Sequence, residues 1–305
     1  GLMGLLGRLV LTVTGWRPVR RLFESGGWGR RAAMRFVAGE TLDEAVAVAR
    51  DLNARGFLVS LDHLGEHVSD AARAVQAERE YRECLDRIAA EGLDANISVK
   101  LTQLGLGLDD ELAERSLGAL AAHAAACGTS VTVDMEESAL TQATLDLYCR
   151  AQPAHGNLGL ALQAALRRTP ADLARVLPLG GLIRLCKGAY DEPAEVAFHR
   201  RAQVGEAYAS LLADLMACEG VRPAVATHDG RLVARARQLA PDRQQPFEFQ
   251  MLYGIRNSLQ AELVAAGFPV RVYVPYGAAW YPYLTRRLAE RPANLWFFAR
   301  AFFGR

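Results

Sequence analysis

The strongest constraint on the fold is a rhythm. From residue 57 onward, short apolar runs recur every 23–42 residues, at 57–61, 97–101, 131–134, 158–162, 182–186, 224–227, 247–251 and 270–274. Each is followed by a polar or glycine turn, and usually by an alanine- and leucine-rich stretch with helical period. Strand–helix alternation predicts a parallel sheet, and eight repeats predict closure into a (β/α)₈, TIM-like α/β barrel. An open doubly wound sheet is the rival topology.

The segments between the runs read as amphipathic helices. Over 70–88, Ala74, Ala77, Tyr81, Leu85 and Ile88 share one face, and Arg79, Glu83 and Arg87 fall on the other. The 109–126 segment opens on Asp109 and Asp110, where a helix N-terminus favours negative charge. Thr169-Pro170 reads as a cap followed by proline at the first helical position. Residues 1–55, with a helix over 41–55, are expected to pack as N-terminal helices on a barrel formed by 56–305, which ends in a helix over 292–303. The barrel is therefore expected to carry extra helices at both ends.

Composition narrows the function classes. A formal net charge of +1 supplies no global field for nucleic acid. The apolar segment 2–13 is interrupted by Arg8 and is too short to span a bilayer. With Trp16, Arg17, Arg20 and Arg21 behind it, it reads as an amphipathic surface helix. Five scattered cysteines include no CxxC and no Cys/His pair with metal-ligand spacing, so they read as free thiols of a reducing, cytoplasmic setting. Gly105-Leu106-Gly107 lacks the third glycine of a dinucleotide fingerprint. There is no P-loop and no GxSxG elbow, and His228 has no second histidine four residues on, so no metal site is expected.

Barrel active sites lie at the C-terminal strand ends, and here those ends are rich in polar groups: Asp62-His63, Lys100, Asp134 with Glu136 and Glu137, Gln163, Arg184 with Lys187, Thr227-His228-Asp229, Glu248 with Gln250, and Tyr273. A barrel interior is expected to take apolar or small fillers, because an unpaired buried charge costs several kcal/mol. Lys100 and Asp134 end neighbouring strands and can neutralise each other. After the eighth run, Arg286-Arg287 follows an aromatic stretch containing Trp280, Tyr281 and Tyr283. Adjacent arginines are often a solvated face, but two guanidinium forks also suit one carboxylate. With Lys100 nearby, they suggest a small amino acid with an apolar body.

Six segments in order, Ser98–Leu101 (SVKL), Val133–Glu136 (VDME), Arg184–Tyr190 (RLCKGAY), Ala226–His228 (ATH), Phe247–Gly254 (FEFQMLYG) and Tyr283–Glu290 (YLTRRLAE), resemble the proline dehydrogenase family, in its monofunctional bacterial form. The resemblance runs through about residues 35–305. It implies a distorted (β/α)₈ barrel carrying non-covalent FAD and oxidation of L-proline to Δ1-pyrroline-5-carboxylate by hydride transfer to the flavin, with electrons passed to a quinone and transient membrane-surface contact. It further implies that Arg286, Arg287 and Lys100 hold the substrate carboxylate, that Asp134 pairs with Lys100, and that Tyr273, Tyr283, Leu252 and Ala189 pack around the pyrrolidine ring. Met135, Gln163, Arg184, Lys187, Gly188, Ala189, Tyr190, Thr227, His228 and Glu290 would line the flavin and its tail. Lys100, Asp134, Arg184 and Tyr273 would form the catalytic set, with Glu66 as a gate pairing with the first arginine. Asp191 and Gly205 depart from the family pattern, where tryptophan and aspartate are expected. Another FAD barrel, such as a methylenetetrahydrofolate reductase, would not need the arginine pair, and a non-catalytic barrel would need no flavin.

Overall fold

Alternation along the strands decides the architecture. In the computed structural model, which describes residues 4–290, eight parallel strands close into a barrel in chain order. They are β1 (Leu58–His63), β2 (Ala95–Val99), β3 (Val131–Val133), β4 (Leu158–Gln163), β5 (Gly181–Cys186), β6 (Val221–Ala226), β7 (Glu248–Leu252) and β8 (Val270–Tyr276). The barrel closes by pairing of β1 with β8, from Leu58 opposite Arg271 to His63 opposite Tyr276. The open-sheet rival is thereby excluded. The helix expected over 292–303 lies outside the described residues.

Four helices precede the barrel: α1 (Leu5–Thr14), α2 (Arg17–Ser25), α3 (Gly27–Ala33) and α4 (Leu42–Ala54). The rest surround it: α5 (Ala71–Glu91), α6 (Asp110–Ala126), α7 (Ser138–His155), α8 (Thr169–Val176), α9 (Arg201–Ala217), α10 (Gly230–Leu239), α11 (Asn257–Ala265) and α12 (Tyr281–Glu290). One set of strand residues, including Val59, Leu61, Ile97, Val99, Val133, Leu160 and Ile183, is fully buried in one core with Tyr81 and Leu85 of α5 and Leu117 of α6. This shared apolar layer is where strands and helices exclude water together.

The other strand face only partly matches the expected apolar or small filling. Ser60 and Ser98 share a hydrogen bond of 2.8 Å, Asn96 donates to Thr132 at 3.5 Å, and Arg271 pairs with Glu248 at 2.6 Å. Small fillers do stand on the inner face at Gly159, Ala161, Ala224 and Ala226, but polar groups run between them from floor to mouth, tolerable because the charges are paired across strands.

Caps fix several boundaries. Thr41 and Glu44 form a reciprocal capping box at α4, and Asp70 and Asp109 cap α5 and α6. Thr169 differs from its expected role. It is the first helical residue, Arg168 takes the cap position, and the Thr169 hydroxyl donates to the Gln163 carbonyl instead.

A second apolar cluster, with Phe36, Val37, Trp280, Tyr281 and Leu284, joins the N-terminal segment to α12 over the barrel mouth. The Tyr281 hydroxyl donates to the Thr14 carbonyl at 2.6 Å. Gly254 is required beneath this cluster: at φ +77°, a Cβ there would lie 2.0 Å from the Arg35 carbonyl oxygen.

Candidate active site

Asp134 stands one residue past β3 and collects the central charges of the mouth. Its carboxylate accepts from Lys100 Nζ at 3.2 Å, from the Tyr273 hydroxyl at 2.6 Å, and from Arg184 on its other oxygen. Strand β3 is not adjacent to β5 or β8, so the bonds to Arg184 and Tyr273 cross the barrel interior. The expected Lys100–Asp134 pair is thus part of a larger cluster. Asp62 of β1 supplies a second carboxylate, with its Oδ2 at 3.6 Å from Lys100 Nζ, and is fully buried. Burial pushes Asp134 up, but Lys100 and Arg184, with help from the Tyr273 hydroxyl, hold it below the ordinary carboxylate range. Burial moves Asp62 the other way, and Lys100 does not fully offset it. Burial also opposes the charge on Lys100, yet Asp62 and Asp134 together hold its pKa above the usual lysine value.

Arg184 is 6 % exposed and uses three nitrogens at once. Its Nε donates to Gln250 at 2.5 Å, and its terminal nitrogens donate to Asp134 and to Ser98 Oγ, the latter at 2.8 Å. The guanidinium lies over the Tyr273 ring, 5.3 Å from the centroid.

Helix α12 brings Arg286 and Arg287 over the opposite wall. Neither is a solvated face: their side chains are 17 % and 8 % exposed. Arg286 pairs with Glu66 at 3.0 Å, closing the loop after β1 against α12. Burial works against the Glu66 charge, but Arg286 holds its pKa below the usual range. Arg287 pairs with Glu290 at 2.6 Å and lies over the Tyr283 ring at 4.9 Å.

Lys100, Asp134, Arg184, Gln250, Arg286 and Arg287 line one cavity of about 1150 Å³, together with Met135, Gln163, Lys187, Gly188, Ala189, Tyr190, Thr227, His228, Leu252, Tyr273, Tyr283 and Glu290. Among the candidate residues only Glu66 lies outside its lining. The volume exceeds the roughly 300–1,000 Å³ of ordinary small-molecule sites, so an amino acid alone would leave most of it unfilled. Its lining also includes Lys187, Arg201 and Arg231, cations suited to phosphates. Lys187 pairs with Asp229 at 2.7 Å. Gly188, at φ +119°, passes so close to Gln163 that a Cβ would lie 3.2 Å from its amide oxygen. His228 Nε2 accepts from the Leu252 N–H at 3.0 Å, which puts the imidazole proton of the neutral ring on Nδ1.

The two departures from the family pattern are accommodated. Asp191 pairs with Arg8 of α1 at 3.3 Å and is not part of the cavity lining. Gly205 lines the cavity, and a Cβ there would meet nothing within 4 Å. Sequence reasoning noted Asp62 and Gln250 as strand-end groups but gave them no role. Ser98 stood inside a quoted motif, and Arg271 was not singled out. Only the closed barrel shows which of these meet.

The sequence reading also overlooked a Cys/His spacing. His123 and Cys127 are four residues apart, and their ligand atoms lie within 4.8 Å of one another and of Asp86. There His123 Nε2 is already 2.7 Å from Asp86. The other such group among the described residues, His67, Glu136 and Glu137, is likewise internally bonded, with Glu136 accepting from Thr102 and His67 3.1 Å from Glu137.

A family model described as Proline dehydrogenase matches residues 45–300. The chain is 41 % identical over 268 residues to "Proline dehydrogenase 1" of Bacillus subtilis (strain 168), covering 87 % of this chain and 88 % of that protein. It is 35 % identical over 295 residues to "Proline dehydrogenase" of Deinococcus radiodurans, covering 94 % of each. Among solved structures, proline utilization A (PutA) of Bdellovibrio bacteriovorus inactivated by N-propargylglycine superposes with TM-score 0.80 at 24 % identity, covering 85 % of this chain and 32 % of that one. The D778Y mutant of Bradyrhizobium japonicum PutA gives TM-score 0.76 at 27 % identity, covering 90 % and 32 %. A closed parallel barrel, a charged mouth and relatives matched over most of their length agree: the chain belongs to the proline dehydrogenase family.

Proposed function

We propose that this protein oxidises L-proline to Δ1-pyrroline-5-carboxylate with non-covalently bound FAD and passes the electrons to a quinone. The observation that carries the reading is the convergence of Lys100, Arg286 and Arg287 with Tyr273, Tyr283 and Leu252 around one cavity far larger than proline. FAD fits that space. Gly188 gives close backbone approach beside Gln163, and Lys187, Arg201 and Arg231 would hold the phosphates of its tail. Met135, Ala189, Tyr190, Thr227, His228 and Glu290 complete the lining.

In this reading, Arg286 and Arg287 clamp the proline carboxylate and Lys100 adds a third cation. Tyr273, Tyr283, Leu252 and Ala189 confine the pyrrolidine ring, which fixes the carbon beside nitrogen in a near-attack position. The reaction removes a hydride from that carbon and a proton from nitrogen, leaving a C=N bond. Bound FAD supplies the hydride acceptor. The amine proton leaves to solvent before transfer, because Asp134 is already engaged by three donors. Arg184 keeps positive charge on the cavity wall where the acceptor gains negative charge. Glu66 closes over bound substrate by pairing with Arg286.

Quinone reduction calls for a membrane surface, and we assign the protein to the cytoplasm with peripheral contact. Leu5, Leu6, Leu9, Trp16 and Leu22 are exposed beside Arg17, Arg20 and Arg21, an apolar and basic surface suited to an anionic bilayer. Among the described residues no helix is long and apolar enough to cross a membrane.

The deciding experiment is a visible spectrum of the purified protein followed by anaerobic addition of L-proline. Flavin bands that bleach without a nicotinamide are expected. A colourless protein that does not take up FAD, or a flavin that proline leaves oxidised, would overturn the reading.

A further inference from the structure

We infer that Glu248, on the floor of the barrel, is a positioning residue that fixes the Arg184 guanidinium at the mouth by anchoring the Gln250 amide from below. The inference rests on the function proposed above.

Glu248 and Gln250 are two residues apart on β7, so both point into the barrel, one layer apart. Glu248 is fully buried, and its Oε1 accepts from Gln250 Nε2 at 2.7 Å and from Arg271 Nε at 2.6 Å. Its Oε2 accepts from Arg271 at 3.2 Å and from Arg222 Nε at 3.0 Å. Burial raises its pKa, but Arg271, Gln250 and Arg222 outweigh that and keep the carboxyl ionised.

An ionised carboxylate only accepts hydrogen bonds. The Gln250 amide must therefore present its nitrogen to Glu248 and its oxygen to Arg184 Nε, as observed. The reverse orientation would set a carbonyl against a carboxylate and an NH₂ against an N–H. Gln250 and Arg184 are 4 % and 6 % exposed, so water cannot readily substitute for a lost partner. With Nε held from below, the remaining guanidinium nitrogens meet Asp134 and Ser98. A continuous chain of hydrogen bonds thus runs from Glu248 through Gln250 and Arg184 to Asp134, and on to Lys100 and Tyr273.

A purely structural Glu248 would only neutralise Arg271. Glutamine at 248 separates the two roles. It keeps the shape but removes the charge, so the Gln250 amide nitrogen loses its charged acceptor and is held less firmly beneath Arg184.

The test compares the flavin-loaded wild type with Glu248→Gln, Gln250→Met, their double variant, and Arg222→Met as a control for floor stability. Arg222→Met leaves Glu248 charged and held by Arg271. For each, kcat and KM for L-proline, melting temperature and the midpoint potential of the bound flavin are measured. Glu248→Gln and Gln250→Met are expected to lower kcat by about 10- to 100-fold, the cost of a small misplacement of a reacting group. KM should move far less than kcat, and the flavin potential should become more negative as Arg184 loses its fixed place. The double variant should be no worse than the worse single, because both act through Arg184. Arg222→Met should lower the melting temperature alone.

Wild-type kcat and potential in Glu248→Gln, whatever its melting temperature, would overturn the inference, as would kcat losses that follow melting temperature through all variants. If Glu248→Gln does not fold, Gln250→Met decides, since it leaves the Glu248–Arg271 pair intact. A wild-type protein that proline does not reduce would bring down the proposed function and this inference together. A wild type that is reduced, beside variants that match it, would bring down the inference alone.

Discussion

Asp134 engages Lys100, Arg184 and Tyr273 at once, so substitutions within this cluster should not behave alike. Lys100→Met leaves Asp134 with two donors, and should impair kcat/KM for proline much more than it lowers Tm. Asp134→Asn loosens three groups together, including a buried arginine, and should cost about 3–5 kcal/mol of stability as well as activity. The double variant should be less than additive in kcat/KM, because both changes act partly through one ammonium. Thermal melts with steady-state kinetics check this, and strictly additive kinetic defects would uncouple the two residues. For the clamp, Arg286→Met or Arg287→Met is expected to raise KM by roughly 30- to 1,000-fold, corresponding to about 2–4 kcal/mol, with FAD still bound. A KM near the wild-type value would mean that the arginines serve only Glu66 and Glu290.

At the scale of elements, the loop after β1 and helix α12 meet through Glu66 and Arg286. Glu66→Ala should lower kcat/KM modestly, by about 1 kcal/mol, without altering Tm. The pH dependence has a definite sign. Arg286 lowers the folded pKa of Glu66, so the pair is fully formed above the ordinary glutamate pKa of roughly 4.3 and is lost as pH falls through the lowered folded value. The ratio of wild-type to Glu66→Ala activity should therefore be flat from about pH 6 to about pH 9. A ratio that collapses within that window would remove the ion pair from the gate. At α4, Thr41→Ala breaks the capping box and should cost about 1 kcal/mol, read as a lower Tm with unchanged kinetics. Element types were legible because period and caps are local. The apolar runs marked all eight strands, and the 70–88 pattern found α5, with Ala74, Tyr81 and Leu85 buried as its face requires. Thr169 was misread because its hydroxyl reaches the Gln163 carbonyl, a bond set by how α8 packs on β4.

For the whole molecule, the sequence placed the candidate groups at strand ends but not their partners. Every candidate residue but Glu66 lines one cavity. That Lys100 faces Asp62 as well as Asp134, or that Arg184 reaches Ser98 and Gln250, depends on barrel closure, which no local pattern encodes. The polar interior was unexpected for the same reason, since a charge looks costly until its partner from another strand is known. That interior also bears on how the chain assembles. The inward charges of the first four strands and their ends are Asp62, Asp134 and Lys100, a negative set. Those of the last four are Arg184, Arg222, Arg271 and Glu248, a positive one. Each half pairs part of its charge internally, Lys100 with Asp62 and Asp134 and Glu248 with Arg222 and Arg271, but the Arg184–Asp134 bridge forms only when the halves meet. The closure that completes the sheet is therefore the same event that completes the charged mouth.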